Sequence, residues 1–226
     1  MTTPIGTNAS GPQRIADTWD YRRFIQRHYD GLPGALTAVT GWVTGHEALA
    51  GKLIRKDCFD VRGCKRILDA GCGNGRYSHF LLREADPDAR ITGFDLSVQM
   101  LRRARQRLGS DRCTHLAADL TQLPFPDAVF DAIVCGWVIE HLADPRPGLH
   151  SLARVLKPGG KLLLLATEDT VTGWMCSRLW HCRTYNRAEL RQSCDECGLA
   201  FERELWFSRL HAWLRLGGAI MEFRSR

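Results

Sequence analysis

From residue 66 to residue 166, short apolar runs alternate with amphipathic stretches of helical period. This alternation is typical of β–α–β units, in which a helix connects two parallel strands. The run at 130–136 is almost continuously apolar, which indicates a strand covered on both faces. The predicted strands are 66–70, 90–95, 113–118, 130–136 and 161–166. The predicted helices are 75–85, 97–108, capped by Ser97, and 148–156, with a turn at 157–160.

Beyond this central region, a helix at 187–197 and two strands at 200–207 and 219–226 bring the predicted sheet to seven strands. Most of these strands are expected to be parallel, because helices connect them. The chain is therefore predicted to be an α/β protein with a seven-stranded, mostly parallel sheet flanked by helices.

The N-terminal region has a different pattern. Residues 1–13 are rich in Thr, Ser, Gly and Pro, a composition typical of disorder. Apolar spacing then predicts helices at about 15–29 and 46–55. We expect residues 1–56 to form a disordered tail and a helical cap, and residues 57–226 to form one domain.

Glycines follow the first predicted strand directly, at Gly71, Gly73 and Gly75. They allow a tight turn and leave bare backbone for a ligand at the start of the next helix. A dinucleotide-binding loop has the spacing G-x-G-x-x-G, whereas the third glycine here comes one residue early. Asp95 ends the second strand, where a carboxylate can accept hydrogen bonds from ribose hydroxyls in either kind of ligand. The spacing alone distinguishes this loop only modestly from a dinucleotide-binding loop.

Further motifs follow in order: Asp119 after the third strand, Leu-Pro-Phe-Pro-Asp at 123–127, the segment 130–142 ending in Glu-His-Leu, and Val-Leu-Lys-Pro-Gly-Gly at 155–160. Over about residues 60–170 this succession resembles the class I S-adenosylmethionine-dependent methyltransferases. The similar subgroup includes the ubiquinone/menaquinone C-methyltransferases and many small-molecule methyltransferases. The resemblance implies a Rossmann-like fold with S-adenosyl-L-methionine as the cofactor.

The resemblance also implies roles for individual residues. Those expected to line the methionine moiety are Asp69, Gly71, Gly73, Asn74 and Gly75. Asp95 is expected to hold the ribose. Those expected near the adenine are Leu96, Met100, Asp119 and Leu120. Gly136 and Trp137 are expected to face the sulfonium and its methyl group.

The donor in such a reaction is already activated, so positioning can supply most of the rate, and a base is needed only where the acceptor loses a proton. His141 is the best candidate base, because histidine titrates near neutral pH; a structural role is the alternative. The sequence Cys135-Gly-Trp-Val138 lacks the Asn/Asp-Pro-Pro-Tyr motif of amino-group methylation. Cys135 also lacks the neighbouring proline of cytosine C5 methylation and is expected to be a buried strand residue.

The amino-acid composition says less about function than the motifs do. The net charge of +6 comes from arginines spread along the chain, which we interpret as compositional bias rather than as a nucleic-acid-binding face. The nine cysteines, with neither a secretory signal nor a membrane-spanning segment predicted, indicate reduced thiols in the cytoplasm. Cys194 and Cys197 form a C-x-x-C pair that could bind zinc with Cys176, His181 and Cys182. The pair falls inside a predicted helix, so we expect buried thiols and no metal.

The leading hypothesis is therefore an enzyme that methylates a small, aromatic or lipidic acceptor. A nucleic-acid or protein methyltransferase and a non-catalytic cofactor-binding partner are the alternatives, and the oligomeric state is left open. Two segments outside the motif series, at about 15–56 and 168–186, are expected to cover the acceptor pocket. Their aromatic residues include Tyr21, Tyr29, Trp42, Trp174, Trp180 and Tyr185.

Overall fold

One seven-stranded sheet organises the chain in the computed structural model, which describes residues 46–180 and 182–226. Its strands are β1 (Arg66–Ala70), β2 (Arg90–Asp95), β3 (Cys113–Ala117), β4 (Phe130–Gly136), β5 (Leu156–Ala166), β6 (Leu199–Glu204) and β7 (Ala219–Ser225). The described helices are α1 (His46–Leu53), α2 (Arg76–Glu84), α3 (Val98–Leu108), α4 (Arg146–Val155), α5 (Val171–Trp180), α6 (Arg187–Glu196) and α7 (Arg209–Leu214). A 3₁₀ turn spans Ile139–His141.

The strand order is β3-β2-β1-β4-β5-β7-β6. The five strands from β3 to β5 are parallel, whereas β7 runs antiparallel to both β5 and β6. The predicted α/β fold with a seven-stranded, mostly parallel sheet is therefore confirmed. The strand order reverses between β1 and β4, and open α/β sheets bind ligands outside the carboxyl ends of their strands at such a point.

The core lies on both faces of the sheet because alternate strand residues point to opposite sides. One layer contains side chains of α4 and α6 together with Leu68, Ile133 and Leu164. The other contains side chains of α1 and α2 together with Ile67, Val134 and Leu163. Both faces of the central strands are covered, in agreement with the continuous apolar run of β4.

Helix α1 is the first element of the described residues. Ala50, Leu53 and Ile54 are fully buried and belong to the core layer beside α2. The predicted tail and the helix at 15–29 lie outside the described residues, so the division at residue 56 stays a prediction. Among the described helices, none combines the length and the apolar content that a membrane crossing needs.

Several boundaries differ from the prediction. The segment 157–160, predicted as a turn, belongs to an irregular start of β5, where Gly159 has φ +73° and the pairing register shifts beside Phe130. Helices α5 and α7 were not predicted. On α5 the side chains of Val171, Trp174 and Met175 face solvent. Helix prediction from apolar spacing assumes that apolar residues face the core, so it does not detect this helix.

A buried ion cluster fastens the C-terminal elements to the end of β5. Glu168 is only 2% exposed, and it accepts two hydrogen bonds from Arg187 on α6, at 2.8 and 2.9 Å. Arg215, which follows α7, contacts the same carboxylate. Burial opposes ionisation of Glu168, but the two arginines outweigh it and lower the pKa of this carboxyl. One side chain thus connects β5, α6 and the end of α7.

The variant Glu168→Ala is expected to lower the free energy of unfolding by about 3–5 kcal/mol, because it leaves the Arg187 guanidinium buried without its main partner. Urea denaturation measures this difference. Asp195→Ala is the matched control: it breaks the exposed pair with Arg226 and should cost less than about 1 kcal/mol. If Glu168→Ala lost as little unfolding free energy as this control, the cluster would not stabilise the fold.

Candidate functional site

The glycine loop after β1 lies at the carboxyl end of the sheet, beside β4. Gly71, Gly73 and Gly75 have φ of +65°, +51° and +80°, a region that side-chain-bearing residues rarely adopt. A Cβ on Gly71 would approach Val138 to 2.3 Å, whereas a Cβ on Gly73 would meet no atom within 4 Å. The loop therefore packs tightly at Gly71 and presents open backbone at Gly73, which is the arrangement that a ligand cradle needs.

Asp95 braces this loop from the end of β2. Its Oδ2 accepts a hydrogen bond from the Gly73 amide at 2.9 Å, and its Oδ1 accepts one from the Ser97 amide at 2.8 Å. Ser97 in turn caps α3, because its hydroxyl accepts a hydrogen bond from the Met100 amide at 3.1 Å. Asp95 is also the residue expected to hold the ribose. That role stays a prediction.

Asp69, next to last in β1, is almost fully buried, at 1% exposure. Its Oδ2 accepts hydrogen bonds from the amide and the hydroxyl of Ser78, at 2.8 and 2.6 Å, in the first turns of α2. Its Oδ1 is buried and has no hydrogen-bond partner. Burial raises the pKa of Asp69 to about 6, against the hydrogen bonds from Ser78, which lower it. Asn74, also expected near the methionine moiety, is half-buried in the loop.

The residues expected near the adenine differ in their surroundings. Leu96 is 41% exposed, and Met100 is buried on α3. Asp119 is half-buried and accepts hydrogen bonds from the amide and the hydroxyl of Thr121, both at 2.8 Å. The side chain of Leu120 packs into the core beside Gly148, so only its backbone is left to face a ligand.

The carboxyl end of β4 carries an unusual backbone. Trp137 has φ +56°, a strained conformation for a large side chain, while its amide donates to the Leu165 carbonyl at 2.9 Å. Its ring stacks on Tyr77, with centroids 6.3 Å apart. A Cβ on Gly136 would come within 2.5 Å of the Tyr77 ring. Gly136 is therefore needed for Tyr77 to lie across the end of β4, where the resemblance places the methyl group.

Tyr77 and Glu140 were not predicted as site residues. Both are more than nine-tenths buried, and each has an oxygen without a hydrogen-bond partner, Oη of Tyr77 and Oε2 of Glu140. Oε1 of Glu140 accepts a hydrogen bond from the Thr167 hydroxyl at 2.7 Å. Burial raises the pKa of Glu140 to about 7, and it also raises that of Tyr77. Tyr77 could not be recognised from the sequence because it has the spacing of an ordinary apolar-face residue.

Buried polar atoms without partners are concentrated here. In the described part of the chain there are five such side-chain atoms, and three of them belong to Asp69, Tyr77 and Glu140. Native proteins pair nearly all such groups with protein, water or ligand. The carboxyl ends of β1 and β4 therefore offer polar groups that a bound molecule would satisfy.

His141, the predicted base, is half-buried in the 3₁₀ turn beyond Trp137. Its amide donates to the Val138 carbonyl at 3.0 Å. It directly follows Glu140 in the chain, and its catalytic role stays a prediction. Cys135 is fully buried in β4, and burial raises its thiol pKa, which disfavours the thiolate that a nucleophile requires.

Other predicted residues fall elsewhere. Tyr185 was expected to line the acceptor pocket, but this is wrong: it is fully buried in the core and donates its hydroxyl hydrogen to the Ile139 carbonyl at 3.0 Å. Trp180 is half-buried, and Trp174 is 54% exposed. The expected lid residues Tyr21, Tyr29 and Trp42 lie outside the described residues.

Both cysteines of the C-x-x-C pair were predicted inside a helix; Cys194 lies in the last turn of α6, and Cys197 caps the end of this helix. Cys194 and Cys197 are both buried, and burial raises their thiol pKa values, which opposes the thiolate form that zinc binds. His181 is outside the described residues. Among the residues that are described, no group of three or more His, Cys, Asp and Glu side chains is placed to hold a metal ion.

Comparison with known proteins matches residues 68–164 to a family described as "Methyltransferase domain". The demethylmenaquinone methyltransferase of Deinococcus radiodurans is 38% identical over 111 residues, which are 48% of this chain and 46% of that protein. The malonyl-[acyl-carrier protein] O-methyltransferase of Hahella chejuensis is 32% identical over 159 residues, 66% of this chain and 56% of that protein. The chain thus spans about half the length of the curated relatives it matches.

Solved structures share the fold over more of the chain. Magnesium protoporphyrin IX methyltransferase from Synechocystis aligns with a TM-score of 0.69 at 18% identity, covering 93% of this chain and 99% of that one. The [4+2]-cyclase SpnF aligns with a TM-score of 0.68 at 20% identity, covering 89% and 94%. At these identities the likeness concerns the fold alone. The resemblance to class I methyltransferases inferred from the motifs is confirmed by the family match.

The raised pKa of Glu140 predicts a pH dependence of stability. Between its usual value of 4.5 and about 7, the folded chain keeps a proton that the unfolded chain releases. The free energy of unfolding should therefore fall as pH rises through this window. Glu140→Gln should make the fall shallower, which urea denaturation at a series of pH values would measure. Glu84→Gln, at an exposed position, is the control, and an unchanged slope in Glu140→Gln would contradict the assignment.

Proposed function

We propose that the protein is an S-adenosylmethionine-dependent methyltransferase, starting from the methyltransferase-domain family that residues 68–164 match. The observation that carries the proposal is the glycine loop at the switch point of the sheet, braced by Asp95 and open at Gly73. This geometry supports a bound nucleoside whose ribose lies at Asp95 and whose amino-acid portion lies along the loop.

The residues present fit this cofactor. Asp69 Oδ1 is a buried acceptor without a partner, and an ammonium group is the kind of donor that would satisfy it. The space beside Gly73 is open, and a side chain at this position would occupy the room that the cofactor needs. When bound, the cofactor supplies an activated methyl group on a sulfonium. The chain's own task is to orient the acceptor and exclude water, which positioning residues at the end of β4 can do.

The acceptor is proposed to be a small molecule with an aromatic or lipidic body. The Trp137 ring at the end of β4 offers an aromatic surface for such a molecule. Tyr77 Oη and Glu140 Oε2 offer polar contacts to a hydroxyl or phenol. With its raised pKa, Glu140 has the proton affinity of a general base that works near neutral pH, and His141 is the second candidate. Demethylmenaquinone methyltransferases and a malonyl-carrier O-methyltransferase among the relatives support an acceptor of this class.

A nucleic-acid acceptor is less well supported, because much of the positive charge serves the fold. Arg112 donates to three backbone carbonyls that precede β2. Arg154 donates to two carbonyls and to Asp127 in the segment before β4. Arginines bound in this way are not available as a uniform basic face.

A reducing compartment, the cytoplasm, is proposed as the location. All nine cysteines of the chain are free thiols, and Cys194 and Cys197 lie buried without a disulfide between them. Proteins of oxidising compartments tend to use their cysteines in disulfides.

Calorimetric titration with S-adenosylhomocysteine tests the cofactor proposal. The wild type should bind this compound and not NAD. Asp95→Ala should weaken binding by about 1–3 kcal/mol, because the ribose loses a charged acceptor and the loop loses its brace. Asp127→Ala removes an exposed carboxylate and should leave affinity unchanged. Tight NAD binding with no binding of the homocysteine compound would overturn the proposal.

Tyr77→Phe tests the acceptor side, because it keeps the ring against Gly136 and Trp137 and removes only the hydroxyl. With an acceptor found by thermal-shift screening in the presence of S-adenosylhomocysteine, kcat should fall about tenfold or more. The dissociation constant of S-adenosylhomocysteine should not change. Unaltered turnover in the folded variant would remove Tyr77 from the site.

A further inference from the structure

Two helices of this protein expose their apolar side chains to solvent. On α5, Val171, Trp174 and Met175 are 79%, 54% and 62% exposed, whereas Gly173 and Ser177 face inward. A Cβ on Gly173 would lie 1.8 Å from the Glu168 carbonyl, so this small residue sets the side on which the helix packs. Surface helices normally turn their apolar stripe toward the core. On α5 this orientation is inverted.

Helix α7 repeats the inversion. Leu210, Trp213 and Leu214 are 60%, 80% and 45% exposed, at spacings that put them along one side of the helix. Six of the nine exposed large apolar side chains in the described part of the chain belong to α5 and α7. Clusters of this kind mark surfaces that bind a partner or a membrane.

Both helices belong to the same edge of the molecule. Helix α5 follows the carboxyl end of β5, and the chain leaving α7 passes that end so closely that a Cβ on Gly218 would lie 2.5 Å from the Ala166 carbonyl. Arg215 after α7 also contacts Glu168 before α5. This is also the edge of the sheet that holds the glycine loop, so both helices lie at the same end of the sheet as the candidate site.

Arginine is the predominant charged residue around this surface. Arg183 and Arg215 are paired with Glu189 and Glu168, and Asp169 lies exposed just before α5. Residues 170–185 and 205–221 contain no Asp or Glu, and each stretch contains two arginines. The guanidinium of Arg178 lies 4.7 Å from the centre of the Trp174 ring, and Arg209 begins α7 at an exposed position. Helices that lie in the headgroup region of anionic bilayers have this composition: tryptophan and leucine on the apolar side and arginine on the polar side.

A second copy of the chain is a weaker candidate to cover this surface. Two identical surfaces that meet about a two-fold axis would bring arginine-bearing, acid-free helices against each other. A layer of lipid phosphates complements the same charge.

We propose that α5 and α7 form a membrane-docking surface that binds the headgroup region of an anionic bilayer. Trp174, Met175, Leu210 and Trp213 insert among the upper acyl chains, and Arg178 and Arg209 contact lipid phosphates. Docking in this orientation places the carboxyl edge of the sheet at the membrane, from which an apolar acceptor could reach the site. The surface itself does not depend on the proposed reaction.

Co-sedimentation of the full chain with vesicles tests the proposal. The protein should sediment with vesicles of phosphatidylglycerol and phosphatidylcholine, and only weakly with phosphatidylcholine alone. Trp174→Ser/Trp213→Ser should bind the anionic vesicles at least about tenfold more weakly. Arg178→Glu/Arg209→Glu should lose binding as well. Arg83→Glu/Arg102→Glu makes the same change of net charge on exposed positions of α2 and α3, and it should bind like the wild type.

Calorimetric titration with S-adenosylhomocysteine, repeated on each variant, shows whether it is folded and tests the proposed function separately. The absence of wild-type binding to anionic vesicles would overturn the docking proposal, whatever the cofactor result. Equal loss of binding in both arginine pairs would also overturn it, because it would indicate attraction by net charge alone. A concentration-dependent dimer that Trp174→Ser/Trp213→Ser dissociates would assign the surface to self-association instead.

Discussion

The hydrogen bonds of Asp95 connect the parts of the site that come from different strands. One carboxylate oxygen holds the Gly73 amide of the loop after β1, and the other holds the Ser97 amide that starts α3. The glycine loop has left-handed backbone at three positions, and because glycine can adopt many conformations, contacts from outside the loop are needed to select this one. A single side chain at the end of β2 therefore fixes the geometry of the loop after β1 and the direction of α3.

The polar groups around this loop point to the same conclusion. A buried acceptor or donor without a partner costs about 1–3 kcal/mol, and proteins seldom keep such groups without a use for them. Here they lie on Asp69, Tyr77 and Glu140, at the ends of two adjacent strands. The cost is offset when a ligand pairs with them. An apolar wall formed by Trp137 beside this polar set suits a molecule with an aromatic body and a polar head.

The sequence predicts the alternating strands and helices between residues 66 and 166 well, because both faces of that sheet are buried and the apolar period is unambiguous. It does not predict the place of β7 between β5 and β6, since strand order depends on contacts between distant segments. Helices α5 and α7 escape prediction because their apolar residues face outward. Tyr185 looked like a pocket residue and is a core residue, and Tyr77 is a core residue whose ring also packs against Gly136 and Trp137 at the end of β4. The surroundings of both residues depend on contacts with segments distant in sequence, and a local sequence pattern does not contain that information.

A crystal structure of the protein grown with S-adenosylhomocysteine would show whether the glycine loop and Asp95 hold the cofactor. We expect electron density across the carboxyl ends of β1 and β2, with the ribose hydroxyls on Asp95, the amino group near Asp69 and the sulfur atom toward Gly136 and Trp137. Density for the compound at another place on the molecule, or a glycine loop that stays empty at saturating ligand, would contradict this expectation.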